Sequence, residues 1–235
     1  MAAVIPVSPF GAPIDFASWQ AFRDETGVAV VIDAAAAFDT ICAASVPAVV
    51  SLHATKVLGI GEGGFVVATD ANFIEELQKR ANFGFWGSRE ATVRSLNGKI
   101  SEYAAAVGLA ALDTSPVTRA GFARVARTYR EAFAGEPRIV MQPGFGECCV
   151  ASTVVVAAEK PGAEALARAL AANRIGSRRW CGGGLHRHAA FEQFPRHQTT
   201  HSDMLVDRVI GLPCWRELPN EDIAQICDVV ASVCA

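Results

Sequence analysis

Only four of the 21 basic residues are lysines (Lys56, Lys79, Lys99 and Lys160), and one of them falls inside an apolar segment. Lys56 closes Ser51-Leu52-His53-Ala54-Thr55-Lys56, just after a β-branched run and just before Gly61-Glu62-Gly63-Gly64. A lysine held among apolar neighbours loses hydration of its charged form, which lowers its pKa. A partly neutral amine attacks carbonyl carbons and forms Schiff bases. The plain alternative is a lysine that snorkels from a strand end and keeps its ammonium in water. Asp33 is the second candidate, because it ends the fully apolar run Val28–Ile32. A carboxylate there is costly unless it finds a partner. It could cap the Ala-rich stretch that follows. It could instead hold a protonated heterocyclic nitrogen, the role an acidic residue plays opposite a pyridinium.

Other constellations point less far. Cys181, His186, His188, His197 and His201 fall within 21 residues. Cys and His are good zinc ligands. No Cys-x-x-Cys pair is present and the spacings match no common finger, so no metal is assigned; a solvated His-rich loop is the simpler reading. The vicinal Cys148 and Cys149 would bond to each other only in a strained geometry. They read as small buried residues opening a strand. Gly182-Gly183-Gly184 lacks the Lys-Ser/Thr of a phosphate loop.

The elements that must position these residues follow from periodicity. Residues 15–26 carry Phe16, Trp19 and Phe22 at helical spacing, with Gly27 as a stop. Residues 28–32, 46–52 and 63–70 read as strands, the first two apolar but for Ser51, which suggests burial on both faces as in a parallel sheet. Residues 1–9 read as a further strand of that sheet. Residues 72–81 and 101–112 read as helices. Beyond them come a long Arg-rich helix over 118–134, strands over 138–142 and 152–158, and helices over 163–172 and 221–234. The Gly-, Arg- and aromatic-rich stretch 177–195 reads as loop. Alternation of strands and helices gives an α/β first part, followed by a smaller α+β unit. The boundary is placed within the long helix, as domains 1–130 and 131–235.

Composition narrows the class. The chain has 235 residues, 51% hydrophobic and 19% charged, with a formal net charge of −3. That length and apolar content support a sizeable core and exclude a disordered chain. No basic block marks a nucleic-acid footprint. No apolar run approaches the roughly 18 residues of a membrane span. The N-terminus lacks a signal-peptide pattern. Seven cysteines, an odd number thinly spread, fit a reduced, cytoplasmic protein.

The residue series itself resembles a known family. Val31-Ile32-Asp33-Ala34-Ala35-Ala36-Ala37-Phe38 is followed by the Ser51–Lys56 motif, Glu62-Gly63-Gly64 and Asn82-Phe83-Gly84. Leu96-Asn97-Gly98-Lys99-Ile100-Ser101-Glu102 and Ala104-Ala105-Ala106-Val107-Gly108-Leu109 continue the same order. This order is similar to that of the DegT/DnrJ/EryC1/StrS family of sugar aminotransferases, which are fold type I enzymes dependent on pyridoxal phosphate (PLP). Gly184-Leu185-His186 and Leu212-Pro213 resemble that family's small domain.

The resemblance implies an aminotransferase acting on a keto nucleotide-sugar in amino-sugar biosynthesis, with glutamate as the usual donor. It implies Lys56 as the Schiff-base lysine and proton shuttle, Asp33 as the partner of the pyridine nitrogen, and Ser51 as a donor to the cofactor phosphate. Asn97 matches a residue that reaches the phosphate from the neighbouring subunit, so a homodimer with shared sites is implied. His186 falls where the small domain approaches the sugar. Trp180, Arg178 and Arg179 would contact a sugar-nucleotide diphosphate, or else make a hinge contact. Some relatives are dehydratases with histidine in place of the lysine; Lys56 favours transamination.

Two departures accompany the resemblance. The position three residues after the aspartate is Ala36, where Gln or His is common. The Asp, Ser and Lys motifs also come well over a hundred residues earlier than is usual. The chain therefore reads as the C-terminal two-thirds of such an enzyme. Either a separate polypeptide supplies the front, or the chain is a truncated, non-catalytic or partner-dependent subunit. On that reading the first domain is the remainder of the PLP-binding large domain, and the isolated chain self-associates.

Overall fold

The computed structural model describes residues 2–180 and 182–234. The chain forms two compact units, Met1–Thr118 and Arg119–Ala235.

The first unit contains strands β1 (Ala3–Val4), β2 (Ala29–Val30), β3 (Ile32–Asp33), β4 (Ala48–Ser51) and β5 (Gly64–Val67). Its helices are α1 (Phe16–Thr26), α2 (Ala71–Ala81) and α3 (Glu102–Asp113). β1 pairs in parallel with β2, and β3 in parallel with β4. β2 and β3 run on with only Val31 between them, and the Val31 amide donates to the Val4 carbonyl at 3.1 Å. β5 then returns antiparallel to β4, so the sheet is mixed rather than parallel throughout.

The helix ends lie where their chemistry places them. Asp15 accepts from the Ser18 amide at the start of α1, Asp70 caps α2, and the Ser101 hydroxyl accepts from the Ala104 amide of α3. Gly27 ends α1 with φ +68°, a left-handed value that costs glycine nothing.

The expectation of strands buried on both faces is corrected by the side chains. Val30, Ile32, Ala48 and Val50 are buried, and Phe16, Trp19 and Phe22 of α1 pack against that cluster. Their alternates are not covered: Val49 is 41% exposed, and Ile5 and Val7 are exposed as well. Period-2 alternation sends successive side chains to opposite faces. Within this unit only one face of the sheet is a core.

The second unit begins in the second turn of α4 (Ser115–Phe133), ahead of the position near 130 expected from the sequence. The reason is burial: Phe122, Val125, Ala126, Tyr129 and Phe133 of that helix all belong to the second unit's core. β6 (Ile139–Met141), β7 (Val154–Ala158) and β8 (Val209–Leu212) form an antiparallel sheet in that order. α5 (Ala163–Ala172), α6 (Thr200–Val206) and α7 (Asn220–Cys234) complete the unit. α6 and β8 were not foreseen from the sequence. The Tyr129 hydroxyl donates to the Pro213 carbonyl at 2.8 Å, which satisfies the one polar group this buried ring carries.

The cysteines form no disulfide among the described residues. Burial pushes the Cys214 and Cys227 thiols up to about 12, so both stay protonated and unreactive. Cys148 and Cys149 do not open a strand. They lie in a turn in which the Gly144 carbonyl accepts from both their amides, with Cys148 exposed and Cys149 buried. No helix of the described residues is long and apolar enough to cross a membrane.

Candidate active site

Asp33 and Ser51 are brought together by strand register. Ile32 lies opposite Ala48 and Asp33 opposite Val49. Ile32, Ala48 and Val50 point into the core, so Asp33, Val49 and Ser51 share the other, open face. Both polar residues stand at the carboxyl ends of parallel strands, where sites in α/β sheets gather. Each is half-buried.

Asp33 is not a helix cap. Its Oδ1 accepts from the Ala35 amide at 3.0 Å, an Asx-turn, and residues 35–36 form a turn rather than a helix. Its backbone is tied on both sides, with the amide donating to Pro6 O at 2.8 Å and the carbonyl accepting from Ser8 at 2.8 Å. The second carboxylate oxygen has no hydrogen-bond partner among the described residues. The Ser51 hydroxyl accepts from the His53 amide at 3.2 Å, which leaves its own proton to donate.

Lys56 lies in a loop between β4 and β5 that the backbone closes on itself. Leu52 donates to Gly63 at 2.9 Å, Ala54 to Gly61 at 2.7 Å, and Ile60 to Leu52 at 2.9 Å. The Lys56 amide donates to His53 O at 2.9 Å. A Cβ at Gly59 would lie 2.5 Å from the Ala54 carbonyl oxygen, so this close crossing of the loop requires glycine. Lys56 itself is half-buried. Its amine makes no hydrogen bond or ion pair among the described residues. His53 lies beside it in the motif, its Nδ1 bonded to the Thr55 hydroxyl at 2.9 Å and its Nε2 3.7 Å from Glu62.

A carboxylate with an unused oxygen, a hydroxyl with an unused proton and an untethered amine fit the three handles of PLP: ring nitrogen, phosphate and aldehyde. This donor set passes the chemical test for that cofactor.

Asn97 is exposed in the same unit, on a segment that the end of α2 holds: Asn82 bridges Asn97, and Gly98 donates to Ala81 at 2.9 Å. The Lys99 amine donates to Asn97 Oδ1 at 3.0 Å and lies 4.2 Å over the Phe83 ring.

His186 belongs to the second unit, on a short 3-10 turn. Sequence reasoning missed its partner. Asp203, 17 residues away on α6, takes His186 Nε2 at 2.9 Å, the Thr199 hydroxyl at 2.8 Å and Arg187 Nε at 2.9 Å. The ring occupies the space that a side chain at Gly184 would need: a Cβ there would lie 2.5 Å from His186 Cε1. Nothing at residue 186 signals a partner on another element. His186 is therefore a hydrogen-bonded group, and among the described residues no cluster could hold a metal. Cys181, part of the zinc alternative, lies outside the described residues. Arg178 stacks on Trp180 at 4.3 Å, whereas Arg179 turns to Glu164 and the Val206 carbonyl.

The hydrogen bonds from His186, Thr199 and Arg187, in that order of effect, hold the Asp203 carboxyl well below the usual range. A carboxyl whose pKa is lowered by folding stabilises the fold above its unfolded value of about 4. That contribution is lost as pH falls through the folded value. Asp203→Asn is therefore expected to be less stable than the parent near neutral pH, with the gap closing below about pH 4. Chemical denaturation of both proteins across that range checks this, and a gap independent of pH would contradict it.

With this geometry established, comparison with known proteins identifies the class. The model of the DegT/DnrJ/EryC1/StrS aminotransferase family matches residues 1–231, and the chain belongs to this family of sugar aminotransferases. Protein Rv3402c of Mycobacterium tuberculosis is 27% identical over 220 residues, which cover 88% of this chain and 53% of that protein. The UDP-N-acetyl-3-dehydro-alpha-D-glucosamine 3-aminotransferase of Acidithiobacillus ferrooxidans is 27% identical over 237 residues, covering 97% and 63%. Among solved structures, DesI in the presence of its TDP-sugar product superposes with a TM-score of 0.84 at 27% identity, covering 99% of this chain and 62% of that one. The fold is that of the PLP-dependent, fold type I enzymes. The chain spans about half to two-thirds of the length of these relatives.

Proposed function

We propose that the chain carries the lysine side of a PLP-dependent aminotransferase site that acts on a keto nucleotide-sugar, with an amino acid, glutamate by family habit, as donor. The observation that carries this reading is the join of register and loop. Asp33 and Ser51 stand on one open sheet face, and the closed loop leaving Ser51 carries the Lys56 amine, which has no partner among the described residues. The activities named for the Acidithiobacillus and DesI relatives support a sugar-nucleotide substrate.

In this reading PLP, when bound, supplies the electron sink for the reaction. The Asp33 carboxylate would hold the ring nitrogen protonated. The Ser51 hydroxyl would donate to the phosphate. Lys56 Nζ would hold the cofactor aldehyde and, as a free amine, would carry the proton between the amine-bearing carbon and the cofactor carbon. On this reading the first unit, Met1–Thr118, would be part of the cofactor domain and the second, Arg119–Ala235, the small domain. His186, fixed by Asp203, would meet the sugar from that small domain. The experiment is borohydride reduction of PLP-loaded protein followed by peptide mapping, with the label expected on Lys56 and not on Lys79, Lys99 or Lys160.

We propose also that Asn97 serves the site of a second copy. α3 supports this: it has no buried residue, and Tyr103 and Leu109 are 83% and 66% exposed. Exposed apolar area of this kind is stabilised by burial at roughly 25 cal/mol per Å². Sedimentation at low micromolar concentration is expected to give a dimer; a compact monomer would contradict it.

A further inference from the structure

Asp33, Ser51 and His53 each accept a hydrogen bond from the peptide amide two residues on: Ala35 at 3.0 Å, His53 at 3.2 Å and Thr55 at 3.2 Å. Asp and Ser make such turns routinely; histidine is the unusual member. His53 Nδ1 takes the Thr55 amide and also stands 2.9 Å from the Thr55 hydroxyl. A neutral ring nitrogen that accepts from an amide carries no proton, so this bond assigns the His53 proton to Nε2. Nε2 faces Glu62 Oε1 at 3.7 Å, too far for a hydrogen bond. The ring therefore holds the chain on its Thr55 side.

These bonds run in series. The Ser51 hydroxyl holds the His53 amide, the His53 ring holds the Thr55 amide, and the His53 carbonyl takes the Lys56 amide at 2.9 Å. His53 is thus bonded to both Ser51 and Lys56. The rest of the loop closes without the ring, through the backbone bonds of Leu52, Ala54 and Ile60. Removing the ring frees the Thr55 amide and leaves those bonds in place. What the ring governs is local: the direction of the peptide that enters Lys56, and with it the aim of the lysine side chain.

We propose that His53 is a positioning residue that sets the spacing between the Ser51 hydroxyl and the Lys56 amine. The proposal rests on the reading of those two residues given above. PLP carries its aldehyde and its phosphate arm on adjacent carbons of a rigid ring, so the two ends stand at a confined separation. A hydroxyl and an amine that serve both ends must be held at a matching separation. Histidine supplies the brace at a defined reach. Its Nδ1 stands one bond beyond Cγ, where asparagine has Oδ1, so His53→Asn keeps an acceptor in place. Glutamine carries its amide one carbon further out and does not.

The test compares the full chain with its His53→Ala, His53→Asn and His53→Gln variants. Without cofactor, hydrogen exchange at the Thr55 amide is expected to be about tenfold faster in the Ala and Gln variants and unchanged in the Asn variant. Borohydride labelling of Lys56 is expected to need about tenfold more PLP in the Ala and Gln variants, with Asn restoring the parent value. Pyridoxal, which has the aldehyde but no phosphate, is the control. It is expected to label Lys56 alike in all four proteins, because a ligand held at one end asks for no spacing. A loss shared by PLP and pyridoxal marks a merely structural ring and overturns the proposal. PLP labelling that is alike in parent and His53→Ala overturns it too, while Lys56 keeps its role. A parent that PLP labels at a lysine other than Lys56 refutes the aminotransfer reading itself, and this proposal with it, so the two failures are distinguishable.

Discussion

Lys56→Ala is expected to lose both the borohydride-trapped cofactor and all transamination, while its melting temperature stays close to that of the parent. The amine makes no hydrogen bond or ion pair among the described residues, and the side chain is only half-buried. The loop around it is held by backbone bonds that alanine retains. Substitutions away from packed or bonded features usually change stability by no more than about 0.5 kcal/mol. The chemical loss is expected to be complete, because no methyl group can bind an aldehyde. Lys56→Arg should fail as well, since a guanidinium does not give up its proton near neutral pH. Turnover at the parent rate in Lys56→Ala, or a label that survives the substitution, would sink the assignment.

Asp33→Asn is expected to separate fold from chemistry more finely. Its Asx-turn needs only a side-chain oxygen opposite the Ala35 amide, and asparagine supplies one. Stability should therefore hold to within about 0.5 kcal/mol. The neutral amide cannot keep a ring nitrogen protonated, so the half-reaction with amino donor is expected to slow by orders of magnitude even where cofactor still binds. Measuring melting temperature and half-reaction rate on the same two proteins decides the matter. Equal rates would return Asp33 to a purely structural role.

How much of this was legible depends on the range of each interaction. Local chemistry was readable: Asp15, Ser101 and Gly27 bound their helices where capping rules place them. The order of strands around Asp33 and Ser51 followed from apolar runs. The covered face was not readable, since Val31 and Val49 are as apolar as Val30 and Val50, and only packing distinguishes them. β8 was hidden by its four-residue length and internal Gly211, and α6 by a polar start without period. The His186–Asp203 pair spans 17 residues and two elements, and no local pattern announces it. The roles of Lys56, Asp33, Ser51 and Asn97 came from the resemblance; the geometry supplies their surroundings.

The closed loop around Lys56 has one more consequence. With Leu52, Ala54 and Ile60 tied across it, the backbone that carries the lysine is held by hydrogen bonds on both sides. An amine that lets go of a carbonyl then stays on a leash of four methylene groups. Recapture is an intramolecular event, driven by a local concentration of roughly millimolar or more. If the loop stays closed while the amine is free, each recapture costs only the rotamer entropy of one lysine, about 2 kcal/mol at most.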